Sequence, residues 1–145
     1  MTEKNLEQML REDGLCVVTV SGSSMQPMLY AGDRVLLTVP ERPPEKGTVA
    51  LYRGGESYVL HRIIGKKKNE YILCGDHRGE WEYVPENGIL AVLEGFWREG
   101  SYYDCTGAYG GACARRAKKT LPLRVLRARA AKSRRRWIGR EKTTE

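Results

Sequence analysis

"TVALYRGGESYVLHRIIGKKKNEYILCG", residues 48 to 75, holds three short runs rich in Val, Ile, Leu and Tyr, parted by glycine and charged turns. Runs of this length are β-type. Branched and aromatic side chains fit a pleated surface, and Gly and Lys clusters let the chain reverse between them. Within "SYVLHRIIG" (57 to 65), strand alternation puts Tyr58, Leu60 and Arg62 on one face and Val59, His61 and Ile63 on the other. His61 therefore shares the apolar, inward face.

Outward from this stretch the same signal recurs in "CVVTV" (16 to 20), "DRVLLTV" (33 to 39) and "GILAVLEGFWR" (88 to 98), with "PERPPEKG" as a further turn. The spacing predicts a mainly β domain over residues 14–98, a small antiparallel sheet or barrel. Ahead of it, "TEKNLEQMLRED" carries Leu6, Met9 and Leu10 at helical spacing with Gly14 as a stop, which predicts a short amphipathic helix within 1–13 covering one open face of the core. Residues 99–113, with "EGSYYDCTGAYGG" at their start, read as a Gly/Tyr-rich linker. Beyond them, the basic tail 114–145 contains "LPLRVLRARAAKSRRRW", which puts Leu123, Leu126, Ala130 and Trp137 near one helical face with arginines around them.

The 145 residues, 41% hydrophobic and 30% charged, suit one soluble globular domain with tails. No run approaches the roughly 20 apolar residues that cross a bilayer, and the start "MTEKNLEQMLREDG" lacks the apolar centre of a secretory signal, so a cytoplasmic setting is expected. Cys16, Cys74, Cys105 and Cys113 form no CxxC pair and have no histidines at zinc spacing; reduced structural thiols are expected and no metal or other cofactor, with a Cys105–Cys113 disulfide as the alternative in an oxidising compartment. The net charge of +7 is uneven: residues 114–145 balance at +11 and the first 113 at −4. Such a tail suits an anionic membrane surface or packs on the domain. Nucleic-acid phosphate is the weaker fit, because no base-stacking aromatic pattern accompanies the arginines.

Chemistry points to "TVSGSSMQPMLYAGDRVLL" (19 to 37), where a strand delivers Gly22, Ser23 and Ser24 to a turn stiffened by Pro27. A serine cluster is by itself turn material. A catalytic serine needs a base and oxyanion donors, and the chain has two histidines, His61 and His77. Asp76, in "CGDH" after the next strand, would be able to orient His61 if the two strands form a hairpin; otherwise it is a turn aspartate bonding its own backbone.

Taken together, these residues resemble a known family. "SGSSMQPMLYAGDRVLL" is similar to the nucleophile box of the signal peptidase and LexA-type serine peptidases, G-x-S-M-x-P-x-L followed by G-D-x-V. "YVLHRIIG" resembles the base box in its histidine version, as in archaeal, endoplasmic-reticulum and sporulation-type signal peptidases, and "YILCGDHRG" the strand running into Gly-Asp. "VPENGILAVLEGFWREG" is similar to the closing strand. The resemblance covers roughly residues 16 to 98 and implies Ser24 as nucleophile, His61 as general base and Asp76 as the group holding His61. It also implies an extended peptide or protein substrate laid along the sheet edge, contacting Gly22, Ser23, Met25 and Pro27 and cut after small residues. The chain departs from the family in three respects. Gly22 stands where bacterial signal peptidases carry a serine oxyanion donor, His77 follows Gly-Asp, and neither a membrane anchor nor a DNA-binding domain accompanies the boxes. A non-catalytic peptide-binding or LexA-like regulatory module is the alternative function.

Overall fold

In the computed structural model, which describes residues 5–142 and the side chains up to residue 133, an antiparallel sheet of eight strands is preceded in the chain by one helix and followed by another. The elements are α1 (Leu6–Asp13), β1 (Leu15–Thr19), β2 (Arg34–Thr38), β3 (Val49–Gly54), β4 (Ser57–Lys67), β5 (Glu70–Cys74), β6 (Trp81–Pro85), β7 (Ile89–Arg98), β8 (Ser101–Asp104) and α2 (Ala108–Lys142). Spatial order is β1-β2-β7-β3-β4-β5-β6, with β8 hairpinned onto the end of β7. The mainly β expectation holds, and the three runs of the opening stretch, β3, β4 and β5, form two consecutive hairpins.

Alternation explains how one sheet carries two apolar clusters. Along β3, Val49 and Leu51 join Leu10, Cys16, Met25, Leu29, Val35, Leu37 and Phe96 on one side, while Ala50 and Tyr52 join Ile63, Tyr71, Leu73 and Val84 on the other. All four side chains of "VALY" are therefore buried, which is why the run lacks polar positions. On β4, Val59 and Ile63 belong with the second cluster, as alternation requires, but the opposite face is also covered: Leu60 packs on the first cluster and Arg62 is only 3% exposed.

Helix α1 opens with the Asn5 side chain accepting the Gln8 N–H at 2.8 Å and closes at Gly14, whose N–H returns to the Leu10 carbonyl. Leu6, Met9 and Leu10 lie against the first cluster, as the spacing predicts; the part of that prediction on residues 1–4 lies outside the described residues.

The C-terminal part differs from expectation. Residues 99–113 are not a linker: β8 and the first turns of α2 lie there, because Tyr103 stacks on Phe96 at 4.9 Å and Tyr109 packs against both rings. These tyrosines carry enough apolar ring area to order a stretch whose glycines suggest a loop. Helix α2 runs through Pro122 and docks by small and half-buried residues, Gly110, Cys113, Ala117, Thr120, Arg124 and Ala128. Leu123 and Leu126, the expected apolar stripe, are 50% and 64% exposed, so the reading in which that stripe packs on the domain is corrected. The side chains of Trp137 and Ile138 lie outside the described residues. Cys105 and Cys113 are free thiols, and among the described residues no helix is long and apolar enough to cross a membrane.

Candidate active site

Between β1 and β2 the chain makes a compact turn. Gly22 has φ +80, a left-handed conformation strained for other residues, so a serine there would fit the open space but not the backbone. The Met25 carbonyl then accepts the N–H groups of Met28 and Leu29 at 3.0 and 2.9 Å, closing the turn, while Met25, Met28 and Leu29 anchor it in the first cluster. Met25, expected to touch substrate, is only 3% exposed and spends its side chain on packing. Gly22 and Pro27 are exposed, and Ser23 and Ser24 are half-buried on the rim. The Ser24 N–H donates to no other described residue. At the far end of the segment Asp33 accepts the Tyr30 N–H and two bonds from Arg98, which also donates to the Met28 carbonyl at 3.1 Å. Those charge-assisted bonds hold the Asp33 carboxyl below the usual carboxylate range and tie the turn to β7.

The β5–β6 turn closes over Ser24. The His77 N–H donates to the Ser24 carbonyl at 2.9 Å. A Cβ added at Gly75 would stand 2.6 Å from that carbonyl and 3.1 Å from His61 Nε2. Gly75 is thus the contact point where the serine turn and the histidine meet, and only glycine permits so close an approach. The Ser24 backbone and the His61 ring meet at Gly75, and the Ser24 hydroxyl and His61 share no hydrogen bond.

His61 is oriented by a group that sequence reasoning missed. Its Nδ1 lies 3.1 Å from the hydroxyl of Tyr52, a side chain 1% exposed in the second cluster. Burial raises the Tyr52 pKa, and the Glu82 carboxylate, through its charge and a hydrogen bond, raises it further. Between the Tyr52 hydroxyl and Nδ1, the donor is the hydroxyl or the ring N–H according to the imidazole tautomer. The Nδ1–H tautomer, with Tyr52 accepting, is the one that leaves the Nε2 lone pair free on the Gly75 side. The strand register explains the grouping: Leu73 pairs with Glu82 and Ala50 with His61, which puts Glu82, Tyr52 and His61 on one face of the sheet. Burial lowers the His61 pKa, the Glu82 and Asp76 charges oppose this, and Arg78 adds to it. An imidazole so placed is neutral at neutral pH, as a base must be.

Asp76 does not hold His61. Alternation sends Arg62 to the face opposite His61, where its Nε and Nη2 meet the Asp76 carboxylate at 2.8 and 2.7 Å with both side chains 4% exposed. Arg62 also donates to the Gly47 carbonyl and to Met28 Sδ. The pair locks the β4–β5 hairpin to the serine turn, a structural role in place of the expected orienting one. Nor is Asp76 a turn aspartate bonded to its own backbone.

A cleft of about 1000 Å³ opens beside His61, bounded by Pro27, Met28, His77, Glu80, Glu82 and the α2 face from Ala112 to Ala131. Gly79 allows α2 to close it: a Cβ there would fall 1.9 Å from the Arg124 carbonyl. Arg124 in turn donates to the carbonyls of Gly75, Arg78 and Ala117. Among the described residues no group of three or more His, Cys, Asp and Glu is placed to hold a metal ion. Compared with protein-family models and with curated proteins, the chain matches none.

Proposed function

We propose that this chain is a serine peptidase whose sheet is the catalytic fold of the signal peptidase and LexA-type enzymes, with Ser24 as nucleophile and His61 as general base. The observation that carries the reading is the convergence of the Ser24 carbonyl and His61 Nε2 on Gly75. Ser24 Oγ attacks the substrate carbonyl carbon as its proton passes to His61 Nε2. The charge that develops on the carbonyl oxygen is met by the Ser24 N–H. His61 then returns the proton to the leaving amine, and in the second half-reaction takes one from water to release the acyl group. Tyr52 and Glu82 keep Nδ1 engaged so that only Nε2 works. The substrate is an extended peptide or leader segment cut after small residues. Exposed Leu123 and Leu126 among arginines support an anionic membrane surface as the place where a cytoplasmic form of this enzyme acts.

One observation favours a second reading. The Ser24 hydroxyl and His61 share no hydrogen bond, as in a module that grips a peptide without cutting it. Catalytic bonds commonly tighten only when substrate binds, so a peptide complex separates the two readings. Ser24 Oγ moves within hydrogen-bond reach of Nε2 in a peptidase and stays beyond it in a binding module. In solution, Ser24→Ala and His61→Ala each lose at least about 10³-fold in cleavage with the circular dichroism spectrum unchanged. Normal cleavage by either variant contradicts the mechanism.

A further inference from the structure

The two walls of the cleft differ in charge. On the α2 side, Arg116, Thr120, Arg124 and Arg127 fall in one row at helical spacing, and Arg78 stands on the β5–β6 turn, its carbonyl bonded to Arg124. Arg124 is committed to backbone carbonyls. Arg78, Arg116 and Arg127 are exposed, and none makes an ion pair with another described residue. The facing wall carries Glu80 and Glu82, while Asp76 is neutralised by Arg62. From Arg116 to Arg127 the helix rises roughly 16 Å. An extended peptide covers that length in about five residues.

We propose that the arginines of this cleft select substrates carrying Asp or Glu close to the scissile bond, their carboxylates pairing with Arg78 on the β5–β6 turn and with Arg116 and Arg127 on α2. The inference rests on the peptidase reading for its scissile bond, but not for the binding itself. Arg78 is near enough to His61 for its charge to act on the imidazole, so an acidic side chain paired with it lies next to the reacting carbonyl. Guanidinium forks match carboxylates two bonds at a time, and a partly enclosed groove strengthens such pairs over open surface. A peptide fits better than nucleic acid, because Glu80 and Glu82 would face the phosphates of a strand lying in the same groove.

The test uses the full chain carrying Ser24→Ala and fluorescein-labelled peptides with one Ala-Ala bond, flanked by Glu, Ser or Lys in otherwise identical sequences. Two or three part-exposed pairs give about tenfold tighter binding of the Glu peptide than of the Ser peptide. The Lys peptide binds more weakly than either, and the preference shrinks as salt rises. Adding Arg116→Gln with Arg127→Gln brings the Glu-to-Ser affinity ratio to near one, and the Arg→Lys pair of substitutions keeps most of it. Equal binding of all three peptides overturns the proposal, as does a preference that survives the glutamine pair. Short duplex DNA that binds tighter than the Glu peptide and displaces it from these arginines also overturns it. The same peptides given to the wild-type chain keep the two readings apart. Cleavage of all three at equal rates removes the selection and leaves the peptidase standing. Selective binding with no cleavage of any removes the peptidase and leaves the selection.

Discussion

A single missing side chain decides whether the serine turn and His61 can meet. Gly75 lies between the Ser24 carbonyl and His61 Nε2, and a methyl there would stand 2.6 Å from a backbone oxygen that is itself bonded to the His77 N–H. Gly75→Ala is therefore expected to push the turn away and lower cleavage by about a hundredfold, since an ångström of misplacement costs about that much. Wild-type kinetics in this variant, with a matching crystal structure, would remove the contact from the account. Tyr52 and Glu82 act on the other side of the ring. Tyr52→Phe frees Nδ1 and lowers kcat by about tenfold to a hundredfold through lost orientation. The acid limb of the pH profile reports His61 directly: burial puts its pKa below the ordinary value near 6.5, so activity persists to lower pH than a free imidazole allows. Glu82 favours the charged imidazole, so Glu82→Gln moves that limb further down in pH. A limb moving upward would mean that Glu82 does not act on His61.

At the scale of elements, the strands were legible and their joins were not. The runs at 16–20, 33–39, 48–53, 57–65, 70–75 and 88–98 became β1, β2, β3, β4, β5 and β7, because period-two alternation is written in the residues themselves. Strands β6 and β8 are not legible in "WEYVP" and "SYYD", short edge segments that are mostly exposed and too brief to show an alternating pattern. The start of α2 was hidden by its glycines, one of which, Gly110, lets the Cys105 backbone come close, as Gly79 on the β5–β6 turn does for Arg124. Gly79→Ala must lift α2 from the turn, because the obstructing atoms are helix backbone and not a movable side chain. We expect hydrogen exchange to accelerate in residues 113–128 of this variant and the cleft to open. Unchanged protection there would show that α2 is held by other contacts. Ser24 and His61 were readable as candidates from type and strand position. Tyr52 was hidden among core residues, since nothing in "VALYR" distinguishes a packed tyrosine from one bonded to an imidazole.

Across the whole molecule, the serine turn is fixed to the sheet with the help of two ion pairs, Asp33 with Arg98 on β7 and Asp76 with Arg62 on β4, whose arginines both reach Met28. The second is fully buried, so its net contribution against an apolar substitute is small while the cost of breaking it is large. Asp76→Asn leaves the Arg62 charge without a partner and is expected to destabilise the fold by about 3 kcal/mol in denaturant unfolding. A loss below about 0.5 kcal/mol would show that water reaches Arg62. These clamps bring three chain segments to one place, and the account claims that they do so for chemistry at Ser24. The most direct measurement is cleavage of a peptide library by the wild-type chain and by Ser24→Ala side by side, with products read by mass spectrometry. The account predicts new termini after small residues with the wild type and none with Ser24→Ala. Peptides left intact by the folded wild-type chain, or the same products from both proteins, would contradict it.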